Sequence, residues 1–386
     1  CERIQLVGPT GGVGRPAGAF EITKIVPVHY PAGLGHKTGL AGQPTLKRDE
    51  RLAGKALLLL DHVLKDGFID DATGFIKPYR LTTTGEFCLN YQHKNNWFCP
   101  GSMAKIAYQL LIFSDLLGNP RKDKMRRAAL MNARWIEKNV KPTSNGWFPR
   151  RCHPSGEHYP NNAYGDSDIL FEKSADGLFI IQLMTELTKK NLADYSGEIR
   201  KRIKVFIDAG GIFGSINHDT YDHNEDVAYA VAFRVLRQAG KLLNDEEITK
   251  FAYERCLSCL DQFKMTENRN GVPTKGLLWM EKTWDTAYLW ENAEAALAYF
   301  EAYGDTRNER FLRDGLTILR AIAKHHHGDK GFLTEGVDWN NHVGKQHHFN
   351  GAEYGDIKYT EPLLNNLHVV EPTLFVARLE GTATDF

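Results

Sequence analysis

From Leu52 onward, apolar residues recur at i, i+3, i+4 and i+7, the period of helices that pack one stripe against a core. The pattern predicts helices over 52–66, 101–119, 122–141, 172–191, 195–210, 224–241, 245–264, 285–303, 307–326 and 358–380. Residues 1–50 break it. Gly and Pro are frequent there, and the alternation Phe20-Glu-Ile-Thr-Lys-Ile-Val26 predicts a short strand within an extended arm that wraps the main body. The expected organisation is an extended N-terminal arm over 1–50 and one helical domain over 51–386.

The connections alternate in length. Tight turns are expected at Leu117-Gly-Asn-Pro-Arg121 and Tyr303-Gly-Asp-Thr-Arg307, with Gly closing one helix and Asn or Asp opening the next. Long polar connections span 67–100, 142–171, 211–223, 265–284 and 327–357. Helical hairpins set in a ring send short turns to one face and long loops to the other, so the long loops converge on a single mouth. A helical solenoid would show a fixed-period repeat, and none is present.

The hairpin loop Gly67-Phe-Ile-Asp-Asp-Ala-Thr-Gly74 and the aromatic helix start Trp284-Asp-Thr-Ala-Tyr-Leu-Trp290, set among ten helices, resemble (α/α)-toroid carbohydrate-active enzymes over about residues 50–380. Within that group the chain is most similar to uronate polysaccharide lyases of the alginate and glucuronan type. The resemblance implies an all-α toroid of six or seven hairpins, a glycan in the cleft, and in the lyases an adjacent Asn and His working with a Tyr.

Composition narrows the partners. Lys plus Arg and Asp plus Glu are balanced at 48 each, so no global field recruits nucleic acid or an anionic membrane, and an acidic ligand must be met by local basic groups. No apolar run approaches the roughly 20 residues of a membrane span. Cys1 at the start of the chain raises the expectation of a secreted or periplasmic protein anchored by a lipid on that residue. Six cysteines are too few for a disulfide scaffold, and Cys256-Leu-Ser-Cys259 lacks the second pair of a zinc site. The run His325-His326-His327 is expected at a helix end, on the surface. No cofactor or metal is expected.

The long loops share a vocabulary of His, Asn, Tyr and Trp that turn formation does not explain, whereas stacking on sugar rings and hydrogen bonding to hydroxyls does. Expected substrate contacts are Arg80, His93, Asn95 and Trp97; Arg150, Arg151, Asn162 and Tyr164; His218 and Tyr221; Lys282, Trp284 and Glu291; and Trp339, His348 and Tyr354. β-Elimination from a uronate needs a base, an acid and a group that neutralises the carboxylate. Tyr288 is the expected acid or base, and the pairs Asn341-His342 and His223-Asn224 match the Asn and His of the lyases in type. Arg80, Arg150, Arg151 and Lys282 are placed to meet uronate carboxylates.

Three alternatives stay open. Glycoside hydrolysis needs two carboxylates, and Asp166, Asp168, Asp176, Glu225, Asp226, Asp285, Glu291, Glu335, Asp338, Glu353 and Asp356 are too many to single out a pair. A sugar epimerase abstracts a carbon-bound proton using His. A noncatalytic glycan-binding protein would use the same cleft without turnover.

Overall fold

A computed structural model describes residues 19–21, 50–81, 83–90, 96–159, 173–211, 213–214, 224–281, 286–326, 333–339 and 366–379. Its helices are α1 (Glu50–Lys65), α2 (Pro100–Phe113), α3 (Arg121–Asn139), α4 (Gly177–Lys189), α5 (Ser196–Asp208), α6 (Asp226–Leu243), α7 (Glu246–Phe251), α8 (Leu289–Thr306), α9 (Glu309–His325) and α10 (Val370–Leu379). The strands are short. β1 (Ala19–Glu21) pairs antiparallel with β2 (Tyr79–Leu81), which pairs with β3 (Phe87–Cys88); β4 (Thr286–Tyr288) pairs antiparallel with β5 (Gly336–Asp338).

Two kinds of helix alternate. In α4 every residue from Gly177 to Leu187 is buried, whereas α9 buries only Gly315, Ile318, Ala321 and Ile322, a single stripe. A helix apolar on all sides belongs inside, and one with a single stripe belongs at the surface. Inner helices α2, α4, α6 and α8 pack side by side in that order, α10 follows against α8, and each of the four is backed by the outer helix that succeeds it in the chain. This is the (α/α) toroid.

The inner helices run in one direction, because their N-terminal ends meet. The carboxylate of Asp176, just before α4, accepts the backbone N–H groups of Gly101 and Ser102 at the start of α2, and Asp226 at the start of α6 bonds Glu291 at the start of α8. Lys105 on α2 lies 4.5 Å from the ring of Phe179 on α4 and 5.5 Å from that of Trp290 on α8, so the three helices face a common axis. Between inner and outer layers the core is aromatic: Trp147 packs edge-on to Phe213 at 4.9 Å, and Phe206 does the same. Each such fully buried ring contributes about 1.5–3 kcal/mol.

Several helix limits differ from the periodic pattern. α4 begins at Gly177 rather than 172, and α2 closes at Phe113 with a short 3-10 turn, Ser114–Leu116. The helix expected over 245–264 is not uniform: α7 passes into a π-helical stretch, Ala252–Leu257, and then a 3-10 turn, Leu260–Phe263. Gly304 does not end α8. The helix runs through it to Thr306, Arg307 takes the left-handed conformation at φ 55°, and the side chain of Asn308 caps α9 by accepting the N–H of Arg310 at 3.0 Å. Cys256 is buried within the π stretch. Among the described residues no helix is long and apolar enough to cross a membrane, and no three His, Cys, Asp or Glu side chains form a group that could hold a metal ion.

Candidate active site

The N-terminal ends of the inner helices gather the polar groups that matter. A helix N-terminus carries unpaired N–H groups and about half a positive charge, so carboxylates are stabilised there. At this end Asp176 precedes α4, Glu225 and Asp226 open α6, Glu291 lies in the first turn of α8, and Glu281 and Asp338 come from the segments flanking β4 and from β5. All six are buried, and Glu225, Asp226, Glu281, Glu291 and Asp338 have no exposed surface.

Backbone hydrogen bonds hold these segments in register. The N–H of Asp226 donates to Met280 O at 3.1 Å, the N–H of Met280 donates to Thr286 O at 3.0 Å, and Thr286 pairs with Asp338 across the β4–β5 ladder. Asn292, one residue beyond Glu291 and fully buried, accepts the N–H of Leu278 at 2.7 Å and donates to Leu278 O and Tyr288 O at 3.0 and 2.8 Å.

Asp226 and Glu291 share a hydrogen bond between their carboxyls. Burial pushes Asp226 up to about 8, with Glu281 adding to the rise, and burial together with the charges of Asp226 and Glu225 pushes Glu291 well above its ordinary value. Two carboxyls in contact cannot both ionise in a dry site, so the pair keeps a proton at neutral pH. Asp176 is also raised by burial, to about 6, against the opposing pull of Arg150 and Lys105. The site therefore holds a protonated carboxyl pair among further acidic side chains.

The structure distributes the expected site residues unevenly. Glu291 and Tyr288 lie together at the start of α8, both buried, with Tyr288 as the residue preceding the helix. Arg150 and Arg151, for which surface exposure is the ordinary state, are fully buried, and Arg151 stacks over Trp97 at 5.0 Å. Trp97 in turn meets Tyr159 at 5.9 Å, joined by the bridge between Phe98 and Cys152. Trp339 is buried next to Asp338, its carbonyl accepting Asn270 Nδ2 at 3.1 Å. Asn224 Oδ1 accepts the Tyr229 hydroxyl at 2.7 Å.

Arg80 stands apart, on β2, where its Nε donates to Gly85 O at 3.0 Å and its guanidinium lies 5.3 Å from the Phe87 ring. His326 is not at the surface: it is fully buried, because the chain returns over it and Thr334 O lies 3.2 Å from its Nδ1. His93, Asn95, Asn162, Tyr164, His218, Tyr221, His223, Lys282, Trp284, Asn341, His342, His348 and Tyr354 lie outside the described residues. Glu281, Asn292 and Lys105 went unrecognised in the sequence. Glu281 carried a signal, since an acid directly after the apolar run Leu277-Leu-Trp-Met280 must enter the interior with it.

Comparison with known proteins supports the architecture. No family model matches the chain, and no curated protein is similar to it in sequence. Among solved structures, a sugar epimerase from a ruminal bacterium aligns over 88% of this chain and 83% of its own with TM-score 0.55 and 17% identity. The cellobiose 2-epimerase of Bacillus thermoamylovorans aligns over 85% and 81% with TM-score 0.57 and 13% identity. A D-mannose isomerase aligns over 86% and 80% with TM-score 0.55 and 12% identity. At these identities the likeness is one of fold.

Proposed function

We propose that this protein acts on a carbohydrate and moves a proton to and from a sugar carbon, as an epimerase or isomerase. The observation that carries the reading is the hydrogen-bonded pair Asp226–Glu291, a proton store at the N-terminal ends of the inner helices α6 and α8. The fold shared with two sugar epimerases and a mannose isomerase supports the substrate class.

In this chemistry a base removes the proton on the carbon next to the carbonyl of the open-chain sugar. A carboxylic acid hydrogen-bonded to the carbonyl oxygen stabilises the enediolate that forms, and returning the proton to the opposite face, or to the neighbouring carbon, gives the epimer or the isomer. Glu291 supplies the acid in this reading. His223, three residues ahead of Asp226 in the chain, is proposed as the base.

The uronate lyase shares the first step, loss of a carbon-bound proton, and differs in expelling the β-oxygen. Of its expected residues, Asn224 and Tyr288 stand just before α6 and α8, and Asn341, His342 and His223 lie outside the described residues. Hydrolysis breaks no carbon–hydrogen bond at all.

One experiment in deuterium oxide separates the three. The protein is incubated with mannose, cellobiose and oligosaccharides of alginate and glucuronan, and the products are followed by NMR and ultraviolet absorbance. Deuterium on carbon together with a new epimer or isomer is the expected result. Absorbance of a C4–C5 double bond would move the assignment to the lyase, and new reducing ends without carbon-bound deuterium would move it to a hydrolase. Glu291→Gln is expected to lower kcat by about 100-fold or more, the size of a lost general acid.

A further inference from the structure

A buried amide lies directly behind the carboxyl pair. Asn292 is fully buried and lies on α8 directly after Glu291. Its side chain makes both hydrogen bonds that a neighbouring strand would make to Leu278, accepting the N–H at 2.7 Å and donating to the carbonyl at 3.0 Å. The same Nδ2 also donates to Tyr288 O at 2.8 Å. One side chain thereby clamps the two ends of the segment 278–288 to each other and to the helix that carries Glu291.

That segment supplies the third carboxyl of the site and the contact that sets the first. Glu281 lies within it and acts on both Asp226 and Glu291 through its charge, and Met280 O receives the N–H of Asp226. A shift of the segment would move Glu281 and the start of α6 together. Only an amide of this length has an acceptor and a two-hydrogen donor on one planar group, so neither Asp nor Leu reproduces the clamp.

We propose that Asn292 is a positioning residue for the carboxyl pair: its amide fixes the segment 278–288, and so the distance of Glu281 and Asp226 from Glu291, and this sets how firmly the pair holds its proton. Among the described residues, the titratable groups that act on the pair are Glu225 from the start of α6 and Glu281 from the clamped segment, both acidic. The inference rests on the functional reading above only for its consequence in catalysis; the clamp and the proton belong to the folded protein.

The test therefore reads the proton directly. The carbonyl stretching band of a protonated carboxyl is followed by infrared difference spectroscopy between pH 5 and 10 in the full chain and assigned by its loss in Glu291→Gln. In Asn292→Ala the midpoint of that band is expected to move by at least one pH unit, and if an epimerase or isomerase activity has been found, the pH profile of kcat moves with it while KM changes little. A folded Asn292→Ala whose band titrates at the wild-type midpoint overturns the proposal. Should that variant not fold, Asn292→Ser, neutral but too short to bond both Leu278 and Tyr288, takes its place, with the same two outcomes. Failure of the sugar assays leaves the infrared result intact, so the two ideas fail separately.

Discussion

Helices α6 and α8 lie side by side along their length and treat acidic residues in opposite ways at their two ends. At the N-terminal end Asp226 meets Glu291 with Glu225 and Glu281 around them. At the C-terminal end Arg234 pairs with Glu294, Glu301 at 3.0 Å and Glu371 at 3.9 Å, Arg237 reaches Glu301 at 2.7 Å and Asp305 at 2.5 Å, and Lys241 joins Asp305 at 2.5 Å. The same two surfaces thus carry an arginine–carboxylate ladder at one end and a hydrogen-bonded carboxyl pair among acidic residues at the other. A raised, protonated carboxyl pair costs stability as pH rises, whereas the ladder does not, and the two ends can be told apart by that difference.

The largest effect is expected from breaking the ladder. Arg234→Ala removes the ladder's cation from buried Glu294, while Glu301 keeps Arg237, and should lower unfolding stability by about 3–5 kcal/mol in urea titrations. A loss below about 1 kcal/mol would show that the ladder and the cluster differ little in energetic terms. Next is Gly101→Ala, at the cluster end. A Cβ there would overlap the carbonyl and the carboxylate of Asp176, so the helix starts must separate, at a cost of about 1–3 kcal/mol and with a lower kcat.

The two ends also respond oppositely to pH. Asp226 is raised by burial from 3.8 to about 8, so the folded chain keeps a proton that the unfolded chain releases. Its contribution is complete below about pH 4 and is lost as pH rises through 8. Asp305 is the reverse: burial raises it, but Arg237 and Lys241 outweigh burial and hold it at about 2, so its contribution is present above about pH 4 and disappears as pH falls toward 2. Thermal melts should therefore weaken on both sides, and Glu291→Gln should flatten the alkaline limb only, a difference on the order of a few kcal/mol at pH 9. An alkaline limb unchanged in that variant would detach it from the pair. The smallest effect is that of Tyr253→Phe, which removes a 3.1 Å hydrogen bond to Asp305 and should cost about 0.5–1.5 kcal/mol.

The fold was readable because it repeats one physical rule. Each inner helix buries most of its length, each outer one a stripe, and the lengths of the connections assign the ends, so α3, α5 and α9 are found within a few residues of their expected spans. Limits shift where local chemistry competes, as at Gly304, which a helix tolerates when Asn308 is available to cap the next one.

The site was readable as a set of acids and unreadable as a pair. Asp226 and Glu291 are 65 positions apart, and their meeting depends on the register of α6 against α8, which no local pattern encodes. His, Asn and Tyr stand out in the loops by their unusual frequency, whereas a buried Glu is an ordinary residue made exceptional only by its surroundings. Arg150, Arg151 and His326 show the same limit, since a charged or titratable residue in a long loop reads as exposed until the loop is seen to fold inward.

The order of the inner helices around the ring is also their order in the chain. Neighbours in space are thus successive hairpins, and the toroid can grow during synthesis by adding one hairpin to the last, without waiting for distant partners. One contact among the described residues that breaks this sequence is the reach of Lys105 to Trp290, from the first inner helix to the fourth. Such a contact forms only after about half the chain has been laid down between the two residues, which makes it a reporter of ring assembly. Fluorescence of Trp290 would register that late event separately from the earlier docking of each hairpin.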